Sequence, residues 1–147
     1  MPVDVHTEIE IDCPRAEVAA FAADPDNATA WYRNIESVEW ETPRPVGVGS
    51  RVAFVARFLG RRLAYTYEIT ELAPDRLVMR TAQGPFPMET TYAWREAAPG
   101  RTHMALRNRG EPSGFPRLLA PLMAPAMRRA NAKDLAQLKA LLEARRA

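Results

Sequence analysis

The chain has 147 residues, of which 47% are hydrophobic and 26% charged, and it carries a formal net charge of +2 at pH 7. No apolar run approaches the roughly 20 residues that a membrane-spanning helix needs, and the composition is ordinary for a folded domain able to bury a core. A single cysteine, Cys13, excludes an internal disulfide and a cysteine-based zinc site and reads as a small buried filler.

The opening MPVDVHTEIE lacks the basic and apolar regions of a secretory leader, so residues 1–147 are expected to form one domain in the cytoplasm. Charge is unevenly placed: residues 1–100 hold 10 basic and 15 acidic side chains, and residues 101–147 hold 10 basic and 3 acidic. A basic tail of this kind is either a solvated helix face lying over an acidic body or a feature that steers anionic ligands or draws the tail to acidic lipid or nucleic acid.

In chain order, Val3, Val5, Thr7, Ile9 and Ile11 alternate with Asp4, His6, Glu8, Glu10 and Asp12, the pattern of a half-buried strand. Asp12 followed by Pro14 starts a short helix with Val18 and Phe21 as its apolar positions, ending near Asp24-Pro25; a second short helix covers 27–31. From 35–41 onward the pattern is a meander, with five or six period-two segments separated by turns. Val52, Phe54, Ala56 and Phe58 share one face, and Leu59-Gly60-Arg61 reverses the chain. Leu63, Tyr65, Tyr67 and Ile69 share the face of the next strand, with Leu77, Met79 and Thr81 beyond the APD turn at 73–75. After GPFP at 84–87, Met88, Thr90, Tyr92 and Trp94 point one way. Pro99-Gly100 suits a type II turn, and Met104, Leu106 and Asn108 face opposite to His103, Arg107 and Arg109.

GEPSGFPRLLAP then leads into the longest helical stretch, where Pro121 and Pro125 predict a kink or an irregular first third. At 100° per residue, Met123, Met127, Leu138 and Leu141 fall in one sector flanked by Ala130, Leu135 and Leu142. Arg128, Arg129, Lys133, Lys139, Glu143 and Arg146 lie opposite. The predicted architecture is α+β: a curved antiparallel sheet of six to seven strands, two short helices after the first strand, and a long C-terminal helix across the apolar face.

The order of elements, together with DPDNATAW, VGVGSRVAF, LRNRGEPSGF and NAKDLAQLKALLE, resembles the START-like proteins of the SRPBCC superfamily, in the polyketide cyclase/dehydrase and lipid-transport group. The resemblance covers essentially the whole chain. It implies the helix-grip fold, with a hydrophobic pocket between sheet and last helix, and a ligand that is lipid-like or polyketide-like. Some members of the superfamily catalyse cyclisation or dehydration, so an enzyme acting on an apolar carbonyl compound is the alternative. A non-catalytic module that docks on a protein or on an anionic membrane through its basic helix is a third.

The residues expected inward include Phe54, Phe58, Tyr65, Tyr67, Met79, Met88, Tyr92, Trp94 and Met104 from the strands, and Met123 and Met127 from the helix. Trp31 and Tyr32 follow the second short helix and form either part of a pocket wall or a staple sealing the core. Asn108, Asn131 and Asp134 are polar groups on the same inward face. A buried carboxylate must be paired, near an edge, or used. If used, Asp134 with Asn131, Tyr65 and Tyr67 supplies candidate acid-base groups.

Other chemistry finds no support. His6 and His103 face outward on their strands, and GVGS at 47–50 opens a strand rather than a helix. No dinucleotide fingerprint, metal-spaced cluster or nucleophile elbow occurs, so neither cofactor nor metal is expected. Arg107, Arg109, Arg128 and Arg129 lack the interleaved aromatics of single-strand binders, so no nucleic acid is expected as partner.

Overall fold

The computed structural model describes residues 2–145. Strand β1 (Val3–Ile11) is followed by α1 (Arg15–Ala22), a 3₁₀ turn at Pro25–Asn27 and α2 (Ala28–Trp31). Six strands follow: β2 (Ile35–Trp40), β3 (Arg51–Phe58), β4 (Arg61–Ala73), β5 (Arg76–Gln83), β6 (Met88–Ala98) and β7 (Arg101–Gly110). A 3₁₀ turn at Arg117–Leu119 introduces α3 (Ala120–Ala144).

All seven strands form one antiparallel sheet in the order β1-β7-β6-β5-β4-β3-β2. Strands β3 to β7 pair in sequence through connections of two to four residues, and β2 joins β3 through the longer loop at 41–50. The link from β3 to β4 holds Leu59 at φ 49 and Gly60 at φ 79, the two left-handed residues that a two-residue hairpin matching strand twist requires. The first strand lies at one edge and the second at the other, so the short helices must cross the sheet. Accordingly, α1 packs on β6 and β7, while α2 reaches β2 and α3. The sheet curls around α3, giving the helix-grip fold.

The buried stripe of α3 is Met123, Met127, Asn131, Asp134, Leu135, Leu138 and Leu142. Its angular centre is Leu138, so Leu135 and Leu142, expected as flanks, are buried, whereas Leu141, expected at the centre, is half-buried at the margin. The irregular first third, one of the two expected outcomes, is not seen: α3 is continuous helix through both prolines. Pro121 occupies the first turn, where its missing N–H has no intrahelical partner, and Pro125 frees only the exposed Pro121 carbonyl.

Two residues of the predicted solvated face are tied down instead. Lys139 Nζ lies 2.6 Å from Glu143 Oε2 and donates to the Glu10 carbonyl at 3.1 Å, while Asp12 N–H donates to Glu143 at 2.8 Å. These bonds pin the C-terminal half of α3 to the end of β1. Arg128, Arg129 and Lys133 are exposed, and Arg146 lies outside the described residues. Arg107 is paired with Asp4 and Arg109 with Glu89. Among the described residues no helix is long and apolar enough to cross a membrane.

Gly110 ends β7 between Val3 and Met88 of the neighbouring strands. A Cβ there would collide with the Pro87 carbonyl oxygen and come within 2.7 Å of the Met88 sulfur. The first of these is backbone and cannot swing away, so Gly110→Ala is expected to lower stability by about 1–3 kcal/mol, read from the urea midpoint at unchanged m.

Candidate functional site

Among the described residues, two hydrophobic clusters share the interior. The larger packs Ile11, Val18, Trp31, Trp94, Leu138 and Leu142, with others, around the C-terminal half of α3. The smaller gathers Val3, Val5, Met123 and Met127 near the start of α3, with Phe58 and Phe115 against it. Between them the stripe of α3 turns polar at Asn131 and Asp134, and here the sheet and helix separate. By backbone proximity α3 lies close to β1 and α2, which leaves a gap over the central strands.

That gap is a cavity of about 150 Å³. A dry cavity of this size can hold a single aromatic ring, whereas pockets for drug-sized ligands span about 300–1,000 Å³. A larger ligand therefore requires side chains to move. Met79, Met88, Met123 and Met127 all line the space, and their unbranched chains adapt at low cost. The wall is otherwise aromatic: Phe54 stacks on Tyr65 at 5.7 Å, Tyr65 meets Tyr67 at 5.0 Å, and Trp31 meets Tyr32 at 4.2 Å and Tyr92 at 5.6 Å. Phe58, Asn108, Asn131 and Asp134 complete the predicted set on this wall.

Trp94 and Met104, expected on the cavity wall, are not there. They are opposite each other in the β6–β7 register, under the end of the sheet that α1 covers, and both are fully buried in solid core. Trp31 is both wall and core, being 1% exposed while still bordering the cavity. Residues not singled out from the sequence also contribute. Thr90 lines the wall between Met88 and Tyr92, a position the strand alternation had put inward, and Phe86 and Phe115 line it with Pro85 and Pro112. The shared signal for the last four is aromatic and proline residues in two connectors that meet at one end of the sheet.

The polar groups form three units. Tyr67 hydroxyl donates to Thr90 Oγ1 at 2.9 Å, and Thr90 in turn donates to Asn108 Oδ1 at 2.8 Å. The Tyr32 and Tyr92 hydroxyls are 2.5 Å apart. Asp134 Oδ1 accepts the Arg33 backbone N–H at 3.1 Å. Burial pushes the Tyr67 phenol up to about 12, with the Thr90 bond acting in the opposite direction. Burial likewise drives the Tyr32, Tyr65 and Tyr92 phenols upward, so all four stay protonated at neutral pH. Burial also raises the Asp134 carboxyl to about 6, only partly countered by the Arg33 N–H and the Arg33 charge.

Two buried donors that border the cavity, Asn131 Nδ2 and Trp31 Nε1, have no partner among the described residues. An unpaired buried donor costs about 1–3 kcal/mol. The arrangement can thus accept an apolar body against the aromatic wall while offering hydrogen bonds at its centre. Thr90→Val keeps the shape but removes the middle of the Tyr67–Thr90–Asn108 chain. It is expected to cost about 1–3 kcal/mol, measurable by urea unfolding, because the Tyr67 hydroxyl and the Asn108 amide oxygen each lose their partner.

Comparison with known proteins agrees with this architecture. The protein TTHA0849 from Thermus thermophilus superposes with a TM-score of 0.85 at 21% identity, over 99% of this chain and 100% of that one. The Zhui aromatase/cyclase from Streptomyces sp. R1128 gives 0.83 at 17% identity, covering 100% and 97%. A START superfamily protein from Mycobacterium smegmatis gives 0.81 at 14% identity, covering 95% and 97%. At these identities the likeness concerns the fold. No curated protein matches the sequence significantly. Residues 2–143 match the family described as polyketide cyclase / dehydrase and lipid transport, and the chain belongs to that family.

Proposed function

We propose that the protein binds and carries an apolar small molecule, lipid-like or polyketide-like, in the cavity beneath α3, and does so in the cytoplasm. The observation that carries this reading is the division of the interior. The core is interrupted by an aromatic cavity bordered by the polar groups Asn131 and Asp134 of α3 and by two of the three unpaired buried donors among the described residues, Asn131 Nδ2 and Trp31 Nε1, the third being Trp94 Nε1 away from the cavity. Family membership supports the same reading. The test is titration with the neutral fluorophore N-phenyl-1-naphthylamine, together with native mass spectrometry of the purified protein. One-to-one binding with quenching of Trp emission is expected, and Trp31→Phe should reduce the quenching more than Trp94→Phe because, of the two, Trp31 borders the cavity. Failure to bind any apolar probe would overturn it.

A second reading, a cyclase- or dehydratase-type enzyme on an apolar carbonyl compound, draws on Asp134. A carboxyl near 6 is a serviceable proton acceptor at neutral pH, and Asn131 offers a donor for a carbonyl oxygen. Tyr65 and Tyr67 remain candidate donors, with Tyr67 already engaged to Thr90. Loss of turnover in Asp134→Asn with binding retained is the expected result for an enzyme. Contact with an anionic membrane is supported by Leu118 (88% exposed) and Leu122 (53% exposed), close in sequence to Arg117 and Arg128. Salt-sensitive liposome flotation tests it.

A further inference from the structure

We propose that the cavity selects apolar molecules bearing a protonated amine, seated with the ammonium on Asp134 and the apolar body against the aromatic wall. This rests on the ligand-binding reading above and adds the charge of the ligand. Among the described residues, the cavity lining contains two carboxylates, Asp24 and Asp134, and no lysine, arginine or histidine. A fatty acid, phosphate ester or other anion would therefore enter a space with negative charge and no cation to meet it.

Asp134 is placed to receive a cation. It is 2% exposed and borders the cavity, and the one hydrogen bond it receives among the described residues goes to Oδ1, from the Arg33 backbone. Oδ2 is left for a ligand. Its charge is felt by the Tyr32 and Tyr92 hydroxyls, which places two aromatic rings of the wall close to it, and Trp31 packs on both. A carboxylate set in an apolar wall beside neutral phenol hydroxyls stabilises an organic cation through the ion pair and a charge-assisted hydrogen bond.

The other groups around Asp134 do not reverse this sign. On α3 its neighbours three and four positions away are Asn131, Ala130, Gln137 and Leu138, all uncharged. Lys133 is exposed, and Arg33 is exposed outside the lining, so its charge offsets Asp134 only in part. Tyr32 and Tyr92 face it as neutral phenols. The titration of Asp134 near 6 gives the preference a pH dependence: the ion pair needs the carboxylate, so amine binding should weaken as pH falls through that value.

The experiment is calorimetric titration of the protein with 2-phenylethylamine, 2-phenylethanol and phenylacetate, ligands of about one ring that differ in charge. At about pH 7.5 the amine is expected to bind at least about tenfold more tightly than the alcohol, with phenylacetate weakest, as a hydrogen bond to a charged group implies. At about pH 5 amine and alcohol should converge, and in Asp134→Asn they should converge at both pH values. Alcohol binding as tight as or tighter than the amine, or phenylacetate binding best, would overturn the charge selection and leave the apolar cavity standing. Absence of binding by all three, and by the neutral fluorophore, would overturn the ligand-binding reading and this inference with it.

Discussion

Asp134→Asn is expected to make the protein more stable at pH 7, by up to about 3 kcal/mol. The carboxyl moves from its ordinary 3.8 to about 6 on folding, mainly through burial, and two pH units correspond to about 3 kcal/mol of penalty for the ionised form. The sign follows from proton binding. Between 3.8 and about 6 the folded protein holds the Asp134 proton and the unfolded chain has released it, so folding is progressively penalised as pH rises through this window. The penalty is absent below the window and complete above it. An asparagine has no such titration and can still accept the Arg33 N–H through its amide oxygen.

Other carboxylates act in the opposite direction. Arg107 holds Asp4 below its ordinary range, and Arg44 with Trp40 holds Asp26 down at about 2, so their stabilising contributions fade as acid is added. Stability measured on one protein alone would mix these slopes. The difference between Asp134→Asn and the parent isolates the single group: it should be near zero at about pH 3.5, grow through the window, and level off above about pH 6. Urea unfolding at a series of pH values measures it. A flat difference across that range would mean that Asp134 is not desolvated as the cavity geometry implies. A residue that lowers stability at working pH, at the centre of a cavity, is the pattern expected where binding rather than folding fixes the residue.

Much of this was legible in the sequence, and the limits have physical causes. The alternation in β1 and in β3 to β7 reports which face of a strand meets the interior, because one face is packed and the other solvated. The helical period of α3 likewise put Asn131 and Asp134 inward. Neither period says how deep along an element the interior stays open. Trp94 and Met104 obey the same alternation as Tyr92 and Thr90, yet α1 covers their end of the sheet and fills it. Phe86 and Phe115 sit in irregular connectors that have no period to read. The Tyr32–Tyr92 pair joins residues 60 positions apart, a contact that only the closed topology creates.

The Trp31 question, whether the residue is a staple or a wall, resolves into a measurable contrast. Its indole is almost fully buried between Tyr32 and Tyr92 and belongs to the larger cluster, so Trp31→Ala should cost about 3–5 kcal/mol as a core truncation. Its Nε1 has no hydrogen-bond partner among the described residues, so Trp31→Phe removes volume and an orphaned donor together and should cost only about 1–2 kcal/mol. Unlike Trp94, Trp31 borders the cavity, and the void left by Trp31→Ala would join that cavity instead of being sealed. Added indole is therefore expected to refill the space and raise the Tm of Trp31→Ala in a concentration-dependent way, as a ligand that binds only the folded state must. Trp94→Ala, with a void closed off by α1, should show a comparable loss and little rescue. No rescue of Trp31→Ala would show that the residue is isolated from the cavity and acts as a staple alone, and equal rescue of the two variants would show that bordering the cavity is not what admits indole.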